Sequence, residues 1–248
     1  MAQPRVLVLR APGTNCDLET AYAFELAGAK TERLHINRLL EKPAAFAEFQ
    51  ILCLPGGFSF GDDLGAGRIL GSMMRSHLAD ALREFKAAGK LILGICNGFQ
   101  ILVKSGILVD DDPATGLPPV TLTWNDSGRY QDRWVKLRTS SSKCVFFAGI
   151  ESMYLPIAHA EGKFVPRDGG VLSQLDAAGQ LALRYDGNPN GAIADVAGVC
   201  DSTGLVCGLM PHPERHVDTT QHPRWTRGES GPVGDGLKIF QNAVAYWN

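Results

Sequence analysis

The sequence predicts an α/β protein built on an open, mostly parallel sheet flanked by helices, with antiparallel strands added in its second half. Three observations carry this expectation. Over the first 106 residues short continuous apolar runs alternate with helical spacing, the pattern of parallel strands buried on both faces by crossover helices. Beyond residue 115, strand-like runs follow one another with Gly, Pro and Asn turns between them instead of helices. The closing run returns to helical spacing.

Taken in order, "RVLVLR" (5 to 10) is a β-rich run that breaks at Pro12-Gly13, and "DLETAYAFELAGAK" marks a helix by Leu18, Tyr22 and Leu26. "FQILCLPGG" (49 to 57) is a second buried strand, and residues 69 to 88 read as one long helix closed by Gly89. "KLILGIC" is the third strand, and "NGFQILVKSG" the helix after it, ending near Gly106. In the second half "RWVKLRT", "MYLPIAHAEGKFV", "LALRYD" and "GLVCGLMPHPE" are strand-like, and Leu237, Phe240, Val244 and Trp247 mark a last helix. No linker, repeat or low-complexity stretch divides the chain, so residues 1–248 are expected to form one domain.

A chain of 248 residues, 45% of them hydrophobic, has material for a substantial core. The net charge of −2, with no basic block, argues against nucleic acid or an anionic membrane surface as partner. No stretch approaches the roughly 20 apolar residues of a membrane span, and the N-terminal apolar run is too short for a signal-peptide core. A cytoplasmic protein is expected. The six cysteines include no CxxC pair, which suits a reducing compartment. Five read as small core fillers.

The sixth, Cys96, closes a strand within Gly94-Ile95-Cys96-Asn97-Gly98. Ligands of open α/β sheets sit outside the carboxyl ends of strands. A sharp strand-to-helix turn holds a nucleophile in strained backbone, and glycines two residues to either side let strand and helix pack closely beneath it. The thiol then projects from the turn, the helix N-terminus favours thiolate, and the Asn97 N–H can point at a developing oxyanion. A buried packing cysteine in a Gly-rich turn is the competing explanation.

A thiolate nucleophile wants a base, and the base wants an orienting group. "LMPHPERH" follows a strand-like run, so His212 and Glu214 are expected at its end with side chains on one side, the period being two. Pro211 and Pro213 stiffen the segment. A surface-loop histidine is the alternative.

These residues resemble class I glutamine amidotransferases, in which a Gly-x-Cys-x-Gly elbow and a distant His-Pro-Glu form a Cys-His-Glu triad on a flavodoxin-like core. Nearly the whole chain is similar to the family of glutaminase components of phosphoribosylformylglycinamidine synthase, through "RAPGTNCDLETAYAFELAGA", "LPGGFSFGDDLGAG", "NDSGRYQDRW", "AHAEGKF" and "NPNGAIADVAGV". The resemblance implies that L-glutamine is hydrolysed through a γ-glutamyl thioester on Cys96. The ammonia passes to an ATP-dependent synthetase subunit in purine biosynthesis, with a small accessory subunit as an open question. It implies Gly57 as the second oxyanion donor beside Asn97, and Gln100, His159 and Glu161 as glutamine-binding residues. Ala160 departs from the His-Gly-Glu-Gly that the family often shows. "GFSFGDDLGAGR" departs from the commoner loop of free-standing subunits, leaving open the roles of Asp62, Asp63 and Arg68 beside the partner surface. No phosphate-binding loop is present, so ATP and Mg are expected on the synthetase, and no cofactor or metal on this chain. Two alternatives stay open: a stand-alone Cys-His γ-glutamyl hydrolase, and a redox-sensing protein of similar fold.

Overall fold

A computed structural model describes residues 3–141 and 143–247. In the first half β1 (Arg5–Arg10), α1 (Asp17–Leu26), β2 (Lys30–His35), α2 (Ile36–Glu41), β3 (Ile51–Leu54), α3 (Arg68–His77), α4 (Ala79–Ala87), β4 (Leu91–Ile95) and α5 (Asn97–Ser105) follow in order. The second half adds β5 (Val120–Thr123), β6 (Gln131–Thr139), β7 (Ser152–His159), β8 (Lys163–Pro166), α6 (Gly169–Ala177), β9 (Leu183–Asp186), β10 (Val196–Cys200), β11 (Val206–Leu209) and α7 (Leu237–Ala245).

Nine strands form one sheet in the order β2-β1-β3-β4-β11-β10-β9-β6-β7, and β5 pairs with β8 apart from it. The pairs β1·β2, β1·β3, β3·β4 and β4·β11 are parallel, whereas β11·β10, β10·β9, β9·β6 and β6·β7 are antiparallel. The sheet is therefore parallel on one side and antiparallel on the other, as the change of pattern near residue 115 predicts. The apolar runs of β1, β3, β4 and β11 are buried on both faces, which is why they carry no alternation. The chain runs from β1 to β2 on one side and then crosses to β3 on the other. That reversal makes a switch point where the carboxyl ends of β1, β3, β4 and β11 open side by side.

Several elements differ from the sequence reading. The stripe Leu18, Tyr22, Leu26 of α1 faces out; the helix buries Thr20, Ala21, Ala23 and Phe24, with Phe24 edge-on to Phe240 of α7 at 4.9 Å. Small residues let this helix lie close to the sheet, and the larger apolar ones are left outside. Strand β2, "KTERLH", is an edge strand whose charged residues conceal it, as edges generally are defended. The single helix expected over 69–88 is two, broken at Leu78, whose φ/ψ of −121°/5° is non-helical. The break lets α3 pack on α5 while α4 reaches the segment 43–48. Helix α6, entered through the Asp168 carboxylate accepting from Val171 N at 2.9 Å, interrupts the second half. The last helix ends at Ala245, so Trp247 lies beyond it.

Candidate active site

At the end of β4, Cys96 takes φ +52° and ψ −106° as the residue before α5, a left-handed conformation that a non-glycine residue holds only under constraint. The constraint is visible. Cys96 N donates to Leu209 O of β11 at 2.8 Å, and its carbonyl accepts from Phe99 N and Gln100 N. A Cβ on Gly98 would run into the Leu54 carbonyl of β3, and one on Gly94 would lie 2.6 Å from Gly98 O. Both flanking glycines are thus required by close strand–helix packing, as the elbow reading expects. Among the described residues no acceptor takes the N–H of Asn97 or of Gly57, so both remain available as donors. The Cys96 thiol faces Ala158 O at 3.7 Å.

Gly57 has φ +148°, and a Cβ there would meet Gly13 O at 2.7 Å and Thr14 Cα at 2.8 Å. Its glycine is demanded by the turn after β1, which bridges to it through Thr14 and through Phe58 N donating to Gly13 O at 2.9 Å.

Beyond β11, His212 N donates to Pro156 O at 2.9 Å, and His212 Nδ1 lies 2.6 Å from Glu214 Oε1. An ionised carboxylate only accepts, so the ring nitrogen carries the proton of that bond. His212 is 2% and Glu214 1% exposed. Strand β11 stops at Leu209, and Glu214 lies in a single 3₁₀ turn, Pro213–Arg215. The two side chains therefore meet through a turn that Pro213 initiates, not through strand alternation. Burial pushes the His212 imidazolium down, but the charge of Glu214 and the neighbouring Cys96 and Cys16 sulfurs outweigh it and hold the group well above its ordinary value. Among the described residues His212 Nε2 and Glu214 Oε2 have no hydrogen-bond partner.

Gly57, Asp62, Cys96, Gln100, His159 and Glu161 line one narrow cleft of about 40 Å³. Gln100 is buried, not solvent-facing: its Nε2 donates to Glu161 O at 2.5 Å and its Oε1 accepts from Asn97 Nδ2 at 3.0 Å. Asn97 Nδ2 also donates to Asp62 Oδ1 at 3.1 Å, and Asn97 Oδ1 accepts from Ser59 N at 3.1 Å. Burial raises the Asp62 carboxyl above its ordinary value despite bonds from Gly67 N and Asn97. Asp63 and Arg68 are exposed. Glu161 lies in the turn after β7, not on a strand, and its Oε2 accepts from Ala66 N at 3.3 Å. His159 Nδ1 sits 3.1 Å from Asn125 Oδ1, and burial, with the nearby His212, lowers its pKa to about 3. In this state Gln100, His159 and Glu161 are engaged in the chain's own hydrogen bonds.

Sequence reasoning missed four residues of this region. Gly56 lets the imidazole in: a Cβ there would lie 2.7 Å from His212 Cε1 and 3.0 Å from Cys16 Sγ. Asn125 ties the 158–162 segment together, accepting from Gly162 N at 3.1 Å and donating to His159 O at 2.9 Å. Arg215 donates from Nη2 to Cys16 Sγ at 3.1 Å and from Nε to Glu19 Oε1 at 2.9 Å. Cys16, expected as a core filler, is buried beside His212, where burial raises its thiol to about 11. Cys53, Cys144, Cys200 and Cys207 do pack in the core. Cys16, His212 and Glu214 are also the one group among the described residues whose ligand atoms, all within 4.8 Å of one another, could hold a metal ion.

A mixed sheet whose parallel half carries a strained cysteine elbow and a buried His–Glu pair at neighbouring strand ends is the architecture of class I glutamine amidotransferases. The CobB/CobQ-like glutamine amidotransferase domain model matches residues 3–247, and the chain belongs to that family. It is 49% identical to the phosphoribosylformylglycinamidine synthase subunit PurQ of Dehalococcoides mccartyi, over 99% of this chain and 98% of that one. It is 40% identical to the PurQ subunit of a Methanococcus maripaludis strain, over 99% and 98%. A chain in the structure of PurLQS from Thermotoga maritima covers all of both chains at 32% identity with a TM-score of 0.77. A glutamine amidotransferase from the same organism, 16% identical with a TM-score of 0.59, shares the fold.

Proposed function

We infer that the chain is the glutaminase subunit of phosphoribosylformylglycinamidine synthase, with Cys96 as nucleophile, His212 as general base and acid, and Glu214 as its orienting group. The observation that supports this most is the delivery of the strained Cys96 and the buried His212–Glu214 pair from adjacent parallel strands, β4 and β11, in a chain nearly half identical to a PurQ subunit. His212 takes the Cys96 proton as sulfur attacks the γ-carboxamide carbon, and the N–H groups of Asn97 and Gly57 receive the developing oxyanion. Collapse breaks the C–N bond; the imidazolium returns the proton to the leaving nitrogen, which departs as ammonia. Water then adds to the γ-glutamyl thioester by the same base, releasing glutamate and restoring the thiol.

Gln100, His159 and Glu161 are proposed to hold the glutamine end groups once their internal bonds reopen. The ammonia is consumed on a synthetase subunit that carries ATP and Mg, and the match to a PurLQS chain favours a complex that also includes a small accessory subunit. The loop around Asp62, Asp63 and Arg68, at the cleft mouth, is the proposed contact with that partner. No helix of the described residues is long and apolar enough to cross a membrane, in keeping with a cytoplasmic enzyme. A stand-alone hydrolase or redox sensor is not favoured by these relatives. Mass mapping after a glutamine-analogue diazoketone tests the assignment: label belongs on Cys96 and on none of the other five cysteines, and label elsewhere would overturn it.

A further inference from the structure

Next to the proposed base lies a second thiol for which the reaction has no use. Cys16 Sγ, a ring nitrogen of His212 and a carboxylate oxygen of Glu214 lie within 4.8 Å of one another, all three residues buried. A thiolate, an imidazole and a carboxylate are the donor set of zinc and its softer relatives. A second observation is independent of the cysteine: Glu214 Oε2 is enclosed yet without a partner among the described residues, an arrangement that buried polar groups rarely keep. Tetrahedral ligands of zinc stand about 3.5 Å apart, so the Cys16 sulfur needs to close by only about 1 Å while His212 Nδ1 and Glu214 Oε1, now 2.6 Å apart, open by about as much.

We propose that Cys16, His212 and Glu214 form an inhibitory binding site for a soft divalent cation, zinc or cadmium. The proposal rests on the reading of His212 as the base. On binding, Cys16 releases its thiol proton to solvent. The imidazole stays neutral: its proton moves to Nε2 and it ligates through Nδ1, the nitrogen that faces Glu214. No electron is transferred. Thiolate and carboxylate together neutralise the ion, so Arg215, whose Nη2 already donates to Cys16 Sγ at 3.1 Å, faces a neutral assembly. A fourth position is left for water. Inhibition follows because the ion occupies Nδ1 and leaves the proton on Nε2, so the ring has no free nitrogen to accept the Cys96 proton.

Cobalt(II) titrated into the full chain reads the site without reference to activity. A thiolate-to-cobalt charge-transfer band is expected at one equivalent, retained in Cys96→Ser, lost in both Cys16→Ser and Cys16→Ala, and displaced by zinc. In glutamate release, the zinc concentration giving half inhibition should rise by more than roughly 10-fold in Cys16→Ala, the scale on which even an outer partner of a metal ligand acts. Several results would overturn the proposal: no band, a band that survives loss of Cys16, or one that vanishes in Cys96→Ser because the ion sits on the nucleophile. A Cys16-dependent band with glutamate release unaffected by zinc would keep the site and refute His212 as the base.

Discussion

Gly56→Ala isolates the placement of the His212 imidazole from every other feature of the site. The backbone at Gly56 lies outside the left-handed region, so alanine is tolerated conformationally, and the effect is one of contact. The new methyl would stand 2.7 Å from His212 Cε1 and 3.0 Å from Cys16 Sγ, where ordinary contact begins at 3.4 Å. The ring cannot tilt freely, because its main chain donates to Pro156 O and its Nδ1 is held 2.6 Å from Glu214. It must therefore shift by on the order of 1 Å, a misplacement that costs about 10²-fold in rate. Overpacking of this kind costs about 1–3 kcal/mol of stability, leaving the fold. The assay is glutamate release by the complex at saturating glutamine, with ammonium-dependent synthesis and urea unfolding as controls. A kcat within two- or three-fold of the parent, roughly, would refute the claim that His212 is the base and that its position is critical.

Three further outcomes are expected. Glu214→Gln slows thioester formation less than His212→Ala does, because an amide can still accept the Nδ1 proton whereas nothing replaces the base; the reverse order in single-turnover rates would show the two roles to be exchanged. His159, lowered to about 3 against about 6.5 when unfolded, is protonated first in the unfolded chain, so its contribution is whole above pH 6.5 and lost as pH falls toward 3. Between about pH 8 and 5 the parent should lose about 2 kcal/mol more unfolding free energy than His159→Gln, and equal losses in urea titrations would contradict this. The isolated chain should be a poor glutaminase, its kcat raised about 10²- to 10³-fold by the synthetase, because the 57–68 loop, with left-handed φ at Phe60, Gly61 and Asp62, is clasped by Asn97 and Glu161; equal rates with and without partner would remove the switch.

The parallel half of the fold was legible because β1, β3 and β4 are buried on both faces and so read as unbroken apolar runs. The elbow was legible because Gly94 and Gly98 answer to backbone contacts that any side chain would obstruct. What escaped has physical reasons too. Edge strand β2 hides behind charge, and α1 turns its larger apolar residues outward because the sheet accepts only Thr20, Ala21, Ala23 and Phe24 at close range. The break at Leu78 has no glycine or proline to announce it. At the site, His212 and Glu214 were legible by spacing, although the 3₁₀ turn that joins them was not. Cys16 and Gly56 act by what they stand next to, 196 and 156 positions from His212 at one remove and the other, and spacing along a chain carries no record of that; the quoted "GTNCD" and "LPGG" were the available signals.

The central claim is that Cys96 releases ammonia from glutamine for use on a separate synthetase. Cys96→Ala in the reconstituted complex tests it most directly, with amidine synthesis measured from glutamine and, in parallel, from added ammonium salt. The account predicts that glutamine-dependent synthesis is abolished while ammonium-dependent synthesis is largely intact, because the substitution removes the nucleophile and leaves the fold and the partner's ATP chemistry in place. Loss of both activities together would show Cys96 to be structural, and retention of both would place the nucleophile elsewhere.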